Sequence, residues 1–222
     1  MNREQLADVL RAASELVDDR PVVMGSQAIL GTYEEDVLPA GATMSMEADV
    51  AFLDDQDRAK ADLVTGAIGE DSHFHQVRGY YAEGIHVETA TLPQGWRDRL
   101  ITRPVPAGSN GPGFLASFLD RHDLVVAKLA ALREKDVRFV TELATAGLID
   151  LQIARERLGN TVLDPVARRR AAALLQSLDG RTTKPRSQAR DTTGLDAPES
   201  RTAADRPRRG QRRSDDPPAG TR

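Results

Sequence analysis

An apolar stripe of helical period opens the chain. From residue 6 to residue 17 the apolar positions recur at spacings of three and four, which predicts an amphipathic helix packed on a sheet. Asn2 precedes this stripe, and Gln5 lies three residues after Asn2, which is the spacing of a capping box. The sequence therefore predicts a helix that begins directly after Asn2.

A short apolar run without helical period follows this helix. Val22–Met24 predicts a buried strand that ends at Gly25, because the run is short, follows a Pro and stops at a Gly. Ser26 is expected to cap a helix, and Gly31 keeps that helix short. The predicted order is strand, Gly-Ser turn and helix.

Strict alternation follows at residues 47–52. Glu47 and Asp49 are expected on one face of a strand, while the residues between and after them are apolar and face the core. A second alternation, over residues 80–90, predicts two strands about a turn at Glu83 and Gly84. Glu88 then becomes a third carboxylate borne by a strand.

Helical periods dominate the later part of the chain. Residues 93–113 contain four Pro and four Gly and are expected to form a surface connection. Helical stripes run from Asp120 with a break near Glu134. Two further helices are expected, one capped by Asp150 and one opened by Asp164 and Pro165.

This order of elements predicts an α/β (α+β) protein. A small mixed sheet flanked by helices is expected in residues 1–118, and a helical part packed on it in residues 119–180. Residues 181–222 contain one large aliphatic side chain, Leu195, and no aromatic residue. Such a segment cannot bury enough apolar area to offset its ordering entropy, so we expect a disordered tail.

Charge and composition narrow the classes of function. The net charge is −4 over 222 residues, but residues 181–222 carry eleven Lys or Arg against six Asp or Glu, which leaves residues 1–180 at −9. An acidic body disfavours a broad surface for nucleic acid, although the basic tail can contact one. The absence of Cys excludes disulfides and thiolate metal sites. No signal peptide or long apolar run is evident, so cytoplasmic localisation without membrane contact is expected.

The Gly-Ser turn and the strand carboxylates together indicate chemistry on phosphate. Gly25 lets a phosphate approach the backbone, and the following amides and the Ser26 hydroxyl can bind its oxygens. Carboxylates two residues apart on a strand, such as Glu47 and Asp49, can bind the same divalent ions, and Glu88 can add a third ligand. Taken singly, each signal has an ordinary explanation: a helix cap, or the solvated face of an edge strand.

The combined order resembles the DNA polymerase β-like nucleotidyltransferase superfamily. Within it, the chain is most similar to AbiE-type toxin-related nucleotidyltransferases and their bacterial relatives, which carry a helical Lys followed by a basic stretch that ends in Asp. Residues 122–136 match that arrangement. The resemblance implies that Lys128 binds phosphate and acts in catalysis, and that Arg133 and Asp136 belong to the nucleotide site. From the residues alone, Lys128 can extend to solvent instead, and Arg133 and Asp136 can pair on a helix surface.

The resemblance implies a metal-dependent enzyme. It would use Mg²⁺ or Mn²⁺ to move a nucleotidyl group from an NTP to a hydroxyl of RNA, such as a tRNA 3′ end, of a protein or of a small molecule, and a cognate antitoxin-like protein would be a partner. Glu47 and Glu88 stand where the superfamily usually has Asp. These departures favour an alternative function, in which a catalytically degenerate fold serves as a binding module of a toxin–antitoxin-like pair.

Overall fold

A computed structural model describes residues 1–108 and 113–179. The helices of this part are α1 (Arg3–Val17), α2 (Ala59–Ile68), α3 (His73–Arg78), α4 (Arg121–Ala131), α5 (Glu134–Thr145), α6 (Leu151–Gly159) and α7 (Pro165–Asp179). Its strands are β1 (Val22–Val23), β2 (Glu47–Ala51), β3 (Tyr81–Gly84), β4 (Ile101–Val105) and β5 (Phe114–Phe118). The predicted tail, residues 181–222, lies outside the described residues.

The strands form one mixed sheet in the order β3-β2-β1-β5-β4. β1 pairs antiparallel with β2 and parallel with β5, β2 pairs parallel with β3, and β4 pairs antiparallel with β5. A mixed sheet flanked by helices confirms the predicted α/β fold class. Among the described residues, no helix has the length and apolar character that a membrane crossing needs.

Local capping explains where the helices begin. The backbone N–H of Gln5 donates to Asn2 Oδ1 and the backbone N–H of Asn2 donates to Gln5 Oε1, both at 2.8 Å, so the predicted capping box is confirmed. The Asp150 and Asp164 side chains cap α6 and α7, as predicted, by accepting hydrogen bonds from two backbone N–H groups in the first turn of each helix. Leu132, at φ 49°, produces the predicted break between α4 and α5.

The sheet and the later helices share one core. Its largest fully buried side chains come from the sheet region and from the helices alike, among them Phe52, Leu10, Ile29, Leu124, Leu129 and Leu143. The core holds α4 and α5 against the elements that follow β1 and precede β2. This packing places the basic end of α4 beside the Gly-Ser turn.

The expected surface connection at residues 93–113 is wrong in its centre, because β4 lies there. Pro104 lacks a backbone N–H and therefore argues against a central strand. β4 is an edge strand of the sheet, and a Pro is tolerated at an edge.

Candidate active site

The register of β2 against β3 builds an acidic face. Asp49 lies opposite Glu83, and Glu47 lies opposite Tyr81. Because side chains alternate along each strand, these four residues share one face of the sheet. Ala48, between the two acids of β2, is fully buried on the opposite face.

The strand predicted to carry Glu88 does not form. Residues Val87–Thr89 make a 3₁₀ turn instead, and the Glu88 side chain is 86% exposed beside His86. The predicted turn at Glu83 and Gly84 is part of β3, so the third strand carboxylate is Glu83. Gly84 is explained by packing, since a Cβ there would lie 1.9 Å from the Ala61 carbonyl oxygen.

Sequence reasoning missed Glu83 because Gly84 was interpreted as a turn signal. The alternative signal was present in the chain: Ala82 and Gly84 are small and buried, while Tyr81 and Glu83 alternate with them. That alternation is typical of a strand that packs closely on a helix. Here the helix is α2.

All three strand carboxylates have raised pKa values. Burial is the main cause of the raised pKa of Glu47, and the charge of Asp49 adds to it. Burial also raises the pKa of Glu83, with the charges of Asp49 and Glu70 acting in the same direction. For Asp49, burial raises the pKa against the opposing charges of nearby basic residues. The face therefore holds negative charge that a bound cation would stabilise.

Gly25 brings the turn after β1 into contact with Asp49. A Cβ built on Gly25 would lie 1.6 Å from Asp49 Oδ2, and the Met24 backbone N–H donates to the Asp49 carbonyl at 3.0 Å. The residue at this position must therefore lack a side chain. The turn and the acidic strand form one unit.

Ser26 does not cap the element that follows. That element is a 3₁₀ helix, Ser26–Gly31, whose capping residue is Gly25 and which has no side-chain cap. The predicted cap at Ser26 is therefore wrong. The Ser26 side chain is not used for capping, and Ser26 lines a cavity instead.

Lys128 and Asp136 form a largely buried ion pair. Lys128 Nζ lies 3.2 Å from Asp136 Oδ1, and their side chains are 15% and 2% exposed. The Arg133 backbone N–H donates to Asp136 Oδ2 at 3.2 Å, which ties the start of α5 to the end of α4. Lys128 thus points into the protein rather than into open solvent.

Three basic residues lie close enough to the acidic face to influence the pKa values of its carboxyl groups. Burial raises the pKa of Asp49, while the charges of Lys128, Lys135 and Arg133 oppose that rise. Lys135 also opposes the rise of the pKa of Glu47. Lys135 was not singled out from the sequence, although it belongs to the basic stretch that precedes Asp136.

A cavity of about 250 Å³ lies between the Gly-Ser turn and α5. Ser26, Lys128, Lys135 and Asp136 line it, so the structure brings together the predicted Ser26, Lys128 and Asp136. Glu88 lies elsewhere, and Arg133 is not part of the lining. Basic residues and a hydroxyl in one cavity suit a phosphate group.

Within residues 1–108 and 113–179, no group of three or more His, Asp or Glu side chains is close enough together to hold a metal ion. Mg²⁺ commonly takes only one or two carboxylates and completes its shell with substrate phosphates and water. Hard carboxylate oxygens with raised pKa values, as on β2, fit that kind of partial site.

Comparison with known proteins identifies the family. No curated protein and no solved structure matches the chain. A family model described as "Nucleotidyltransferase of unknown function (DUF6036)" matches residues 4–179. The match covers well over half of the chain and includes both the acidic face and the basic cavity. The chain therefore belongs to this nucleotidyltransferase family.

Proposed function

We propose that the protein transfers a nucleotidyl group from an NTP to an acceptor hydroxyl. The observation that carries this proposal is the position of Asp49. Its carboxylate touches the Gly25 turn, lies opposite Glu83 on β3, and lies within the electrostatic field of Lys128. Acidic groups for a cation and basic groups for a triphosphate therefore meet at one residue.

Glu47 and Asp49 would hold Mg²⁺ or Mn²⁺. They are two residues apart on one face of β2, and the raised pKa of each carboxyl reflects burial that a cation would compensate. When bound, the ion supplies charge stabilisation at the reacting phosphate.

Transfer requires one bond to form and one to break. The acceptor oxygen forms a bond to the α-phosphorus, the bond from that phosphorus to the bridging α–β oxygen breaks, and pyrophosphate leaves. We assign the proton of the acceptor hydroxyl to Glu83, because Glu47 and Asp49 are assigned to the cation and a carboxylate with a raised pKa is the better proton acceptor. Lys128 and Lys135 stabilise the negative charge that develops on the leaving pyrophosphate.

The basic cavity supports the triphosphate site. Ser26 and Lys128 line it together, and the hydrogen bond from the Arg133 backbone N–H to Asp136 Oδ2 fixes the helix boundary beside it. The resemblance to AbiE-type enzymes supports the 3′ end of a tRNA as an acceptor, with an antitoxin-like protein as partner. Protein and small-molecule hydroxyls are the other acceptor classes that this chemistry serves.

Variants of the acidic face test the assignment. The protein would be incubated with each α-labelled NTP, Mg²⁺, and total RNA or protein extract, and label transfer would be measured. We expect Asp49→Ala to lower transfer at least about a hundredfold, because it removes a group that acts in the transition state. Glu83→Gln should also lower it, since the amide cannot accept the proton.

Glu88→Gln is the matched control. It makes the same change at an exposed carboxylate outside the acidic face and should transfer label at the parent rate. Transfer by Asp49→Ala at the parent rate would contradict the site. Nucleotide binding by the parent without transfer to any acceptor would instead favour the catalytically degenerate binding module.

A further inference from the structure

Tyr81 is the one residue of the acidic face that the chemistry above does not use. It lies opposite Glu47 in the register of β2 and β3, and Glu83 follows it by two residues on the same strand. Because side chains two residues apart on a strand share one face, the Tyr81 side chain lies on the side of the sheet that carries the carboxylates. Among the residues of this face, Tyr81 alone carries a hydroxyl.

The ring of Tyr81 packs against α3. The His75 ring lies beside it, with 4.6 Å between the ring centroids and 53° between the ring planes. The Asp71 backbone N–H donates to His75 Nδ1 at 3.0 Å, which fixes the orientation of the imidazole. Tyr81 is only partly buried, so α3 holds its ring in place without closing off the side chain.

The Tyr81 hydroxyl extends further from the backbone than the carboxylates beside it. A whole phenol ring separates this hydroxyl from the strand, whereas the Glu47 and Glu83 carboxylates end on shorter side chains. Burial is the main cause of the raised pKa of Tyr81, and the charges of Glu47, Glu70 and Glu83 add to it, as expected for a hydroxyl near these groups. The hydroxyl therefore extends toward the side of the carboxylates on which a bound phosphate would lie.

The other two tyrosines of the chain use their hydroxyls within the fold. The Tyr80 hydroxyl donates to Asp8 Oδ2 at 2.7 Å, and the Tyr33 hydroxyl donates to the Leu148 carbonyl oxygen. Tyr80 is also buried in the core, on the side of the sheet opposite to its neighbour Tyr81. Tyr81 is thus the tyrosine whose hydroxyl lies on the acidic face.

We propose that Tyr81 accepts a nucleotidyl group, so that the protein modifies its own chain. The Tyr81 oxygen forms a bond to the α-phosphorus, the bond from that phosphorus to the bridging α–β oxygen breaks, and pyrophosphate leaves. The hydroxyl proton passes to Glu83, which lies on the same strand face. The product is a phosphodiester between the tyrosine and the nucleoside. The inference rests on the proposed function, because it uses the same NTP and the same carboxylates.

Self-labelling in the absence of any other acceptor tests this inference. The full chain would be incubated with Mg²⁺ and each NTP labelled at the α-phosphate, and then denatured so that only covalent label remains. We expect label on the protein, and mass spectrometry of its peptides should locate the nucleotidyl group at Tyr81. A label at the γ-phosphate should not enter the chain, because it leaves with pyrophosphate.

Two matched variants test the position of the acceptor. Tyr81→Phe removes only the hydroxyl and keeps the ring beside His75, and it should lose the label completely. Tyr80→Phe makes the same change at the adjacent residue, on the opposite side of the sheet, and should be labelled as the parent is. Thermal unfolding checks that both variants fold. Label on Tyr81→Phe at the level of the parent would overturn the inference.

A mixture of two chains tests whether transfer occurs within one molecule. Asp49→Ala retains Tyr81 but lacks a group that acts in transfer, and an affinity tag on this variant allows its separation from the parent. After incubation of both with α-labelled NTP, we expect label on the parent chain alone. Label on the tagged chain would mean that one molecule modifies another, which would contradict transfer from the acidic face to its own tyrosine.

The remaining outcomes separate this inference from the proposed function. Label transfer to an external acceptor without label on the protein would overturn the inference and leave the proposed function standing. Label at a residue other than Tyr81, such as Ser26, would also overturn the inference alone. Covalent label on neither the protein nor any acceptor would contradict both.

Discussion

At the residue scale, the contact between Gly25 and Asp49 decides the geometry of the site. Gly25 has an ordinary backbone conformation, with φ −86°, so its importance is steric rather than conformational. The absent side chain lets the carboxylate oxygen of Asp49 lie where a Cβ would be. The site therefore depends on one missing methyl group.

Gly25→Ala should disrupt both activity and stability. A Cβ 1.6 Å from Asp49 Oδ2 forces the strand or the turn to move, and overpacking of this kind costs about 1–3 kcal/mol of unfolding free energy. Displacement of Asp49 by about 1 Å should lower label transfer about a hundredfold. Urea unfolding and the transfer assay measure the two effects.

Gly66→Ala is the control for that substitution. Gly66 lies inside α2, and a Cβ there meets no atom within 4 Å. The substitution should leave transfer unchanged and stabilise the protein by about 0.5–1 kcal/mol, because Ala favours a helix interior over Gly. A Gly25→Ala variant as stable and active as the parent would remove the steric argument.

Some residues of the acidic face could be predicted from the sequence, and others could not. Glu47 and Asp49 were predicted on one strand face, and they lie there, because alternation along a strand is visible in the chain. Glu83 was missed, since its role depends on the pairing of β3 with β2 and not on any local motif. The tight packing of Gly84 on α2 was likewise invisible without the fold.

At the scale of elements, the β2–β3 ladder concentrates like charge. Asp49 and Glu83 are register partners, and the charge of Asp49 contributes to the raised pKa of both Glu47 and Glu83. Like charges on adjacent strands destabilise a sheet. This arrangement makes the folded protein less stable at neutral pH than its packing alone would allow.

Asp49→Asn should therefore stabilise the protein at pH 7. Folding raises the pKa of Asp49 above its ordinary value of 3.8, so the contribution of this group to stability is fully present below pH 3.8. It is lost as the pH rises through the folded-state pKa. Thermal unfolding without Mg²⁺ should give a higher Tm for Asp49→Asn than for the parent at pH 7, with the difference shrinking toward pH 4. A lower Tm at pH 7 would contradict the unfavourable burial of the ionised Asp49 carboxylate.

Elements differed in how well the sequence revealed them. The long amphipathic helices and their Asn2, Asp150 and Asp164 caps follow from local spacing and local hydrogen bonds. β4 was missed, because Pro104 and the surrounding Gly and Pro residues indicate a loop unless the strand is known to lie at a sheet edge. Pairing partners, rather than local preference, fix such strands.

At the scale of the whole molecule, opposite charges meet at the candidate site. Carboxylates come from β2 and β3, while Lys128 and Lys135 come from α4 and α5, and the shared core holds the two groups together. Asp49 and Lys128 are 79 residues apart in the sequence, and the resemblance connected them. Their distance in space follows only from the packing of the helices on the sheet.

Label transfer from each NTP, labelled in parallel at the α- or the γ-phosphate, tests the central claim most directly. Purified protein would be mixed with Mg²⁺ and each acceptor class, and the labelled product separated from free nucleotide. We predict that the α-label enters the acceptor, that the γ-label appears in pyrophosphate, and that Asp49→Ala abolishes both. Incorporation of the γ-label into the acceptor, or of neither label from any NTP, would contradict nucleotidyl transfer.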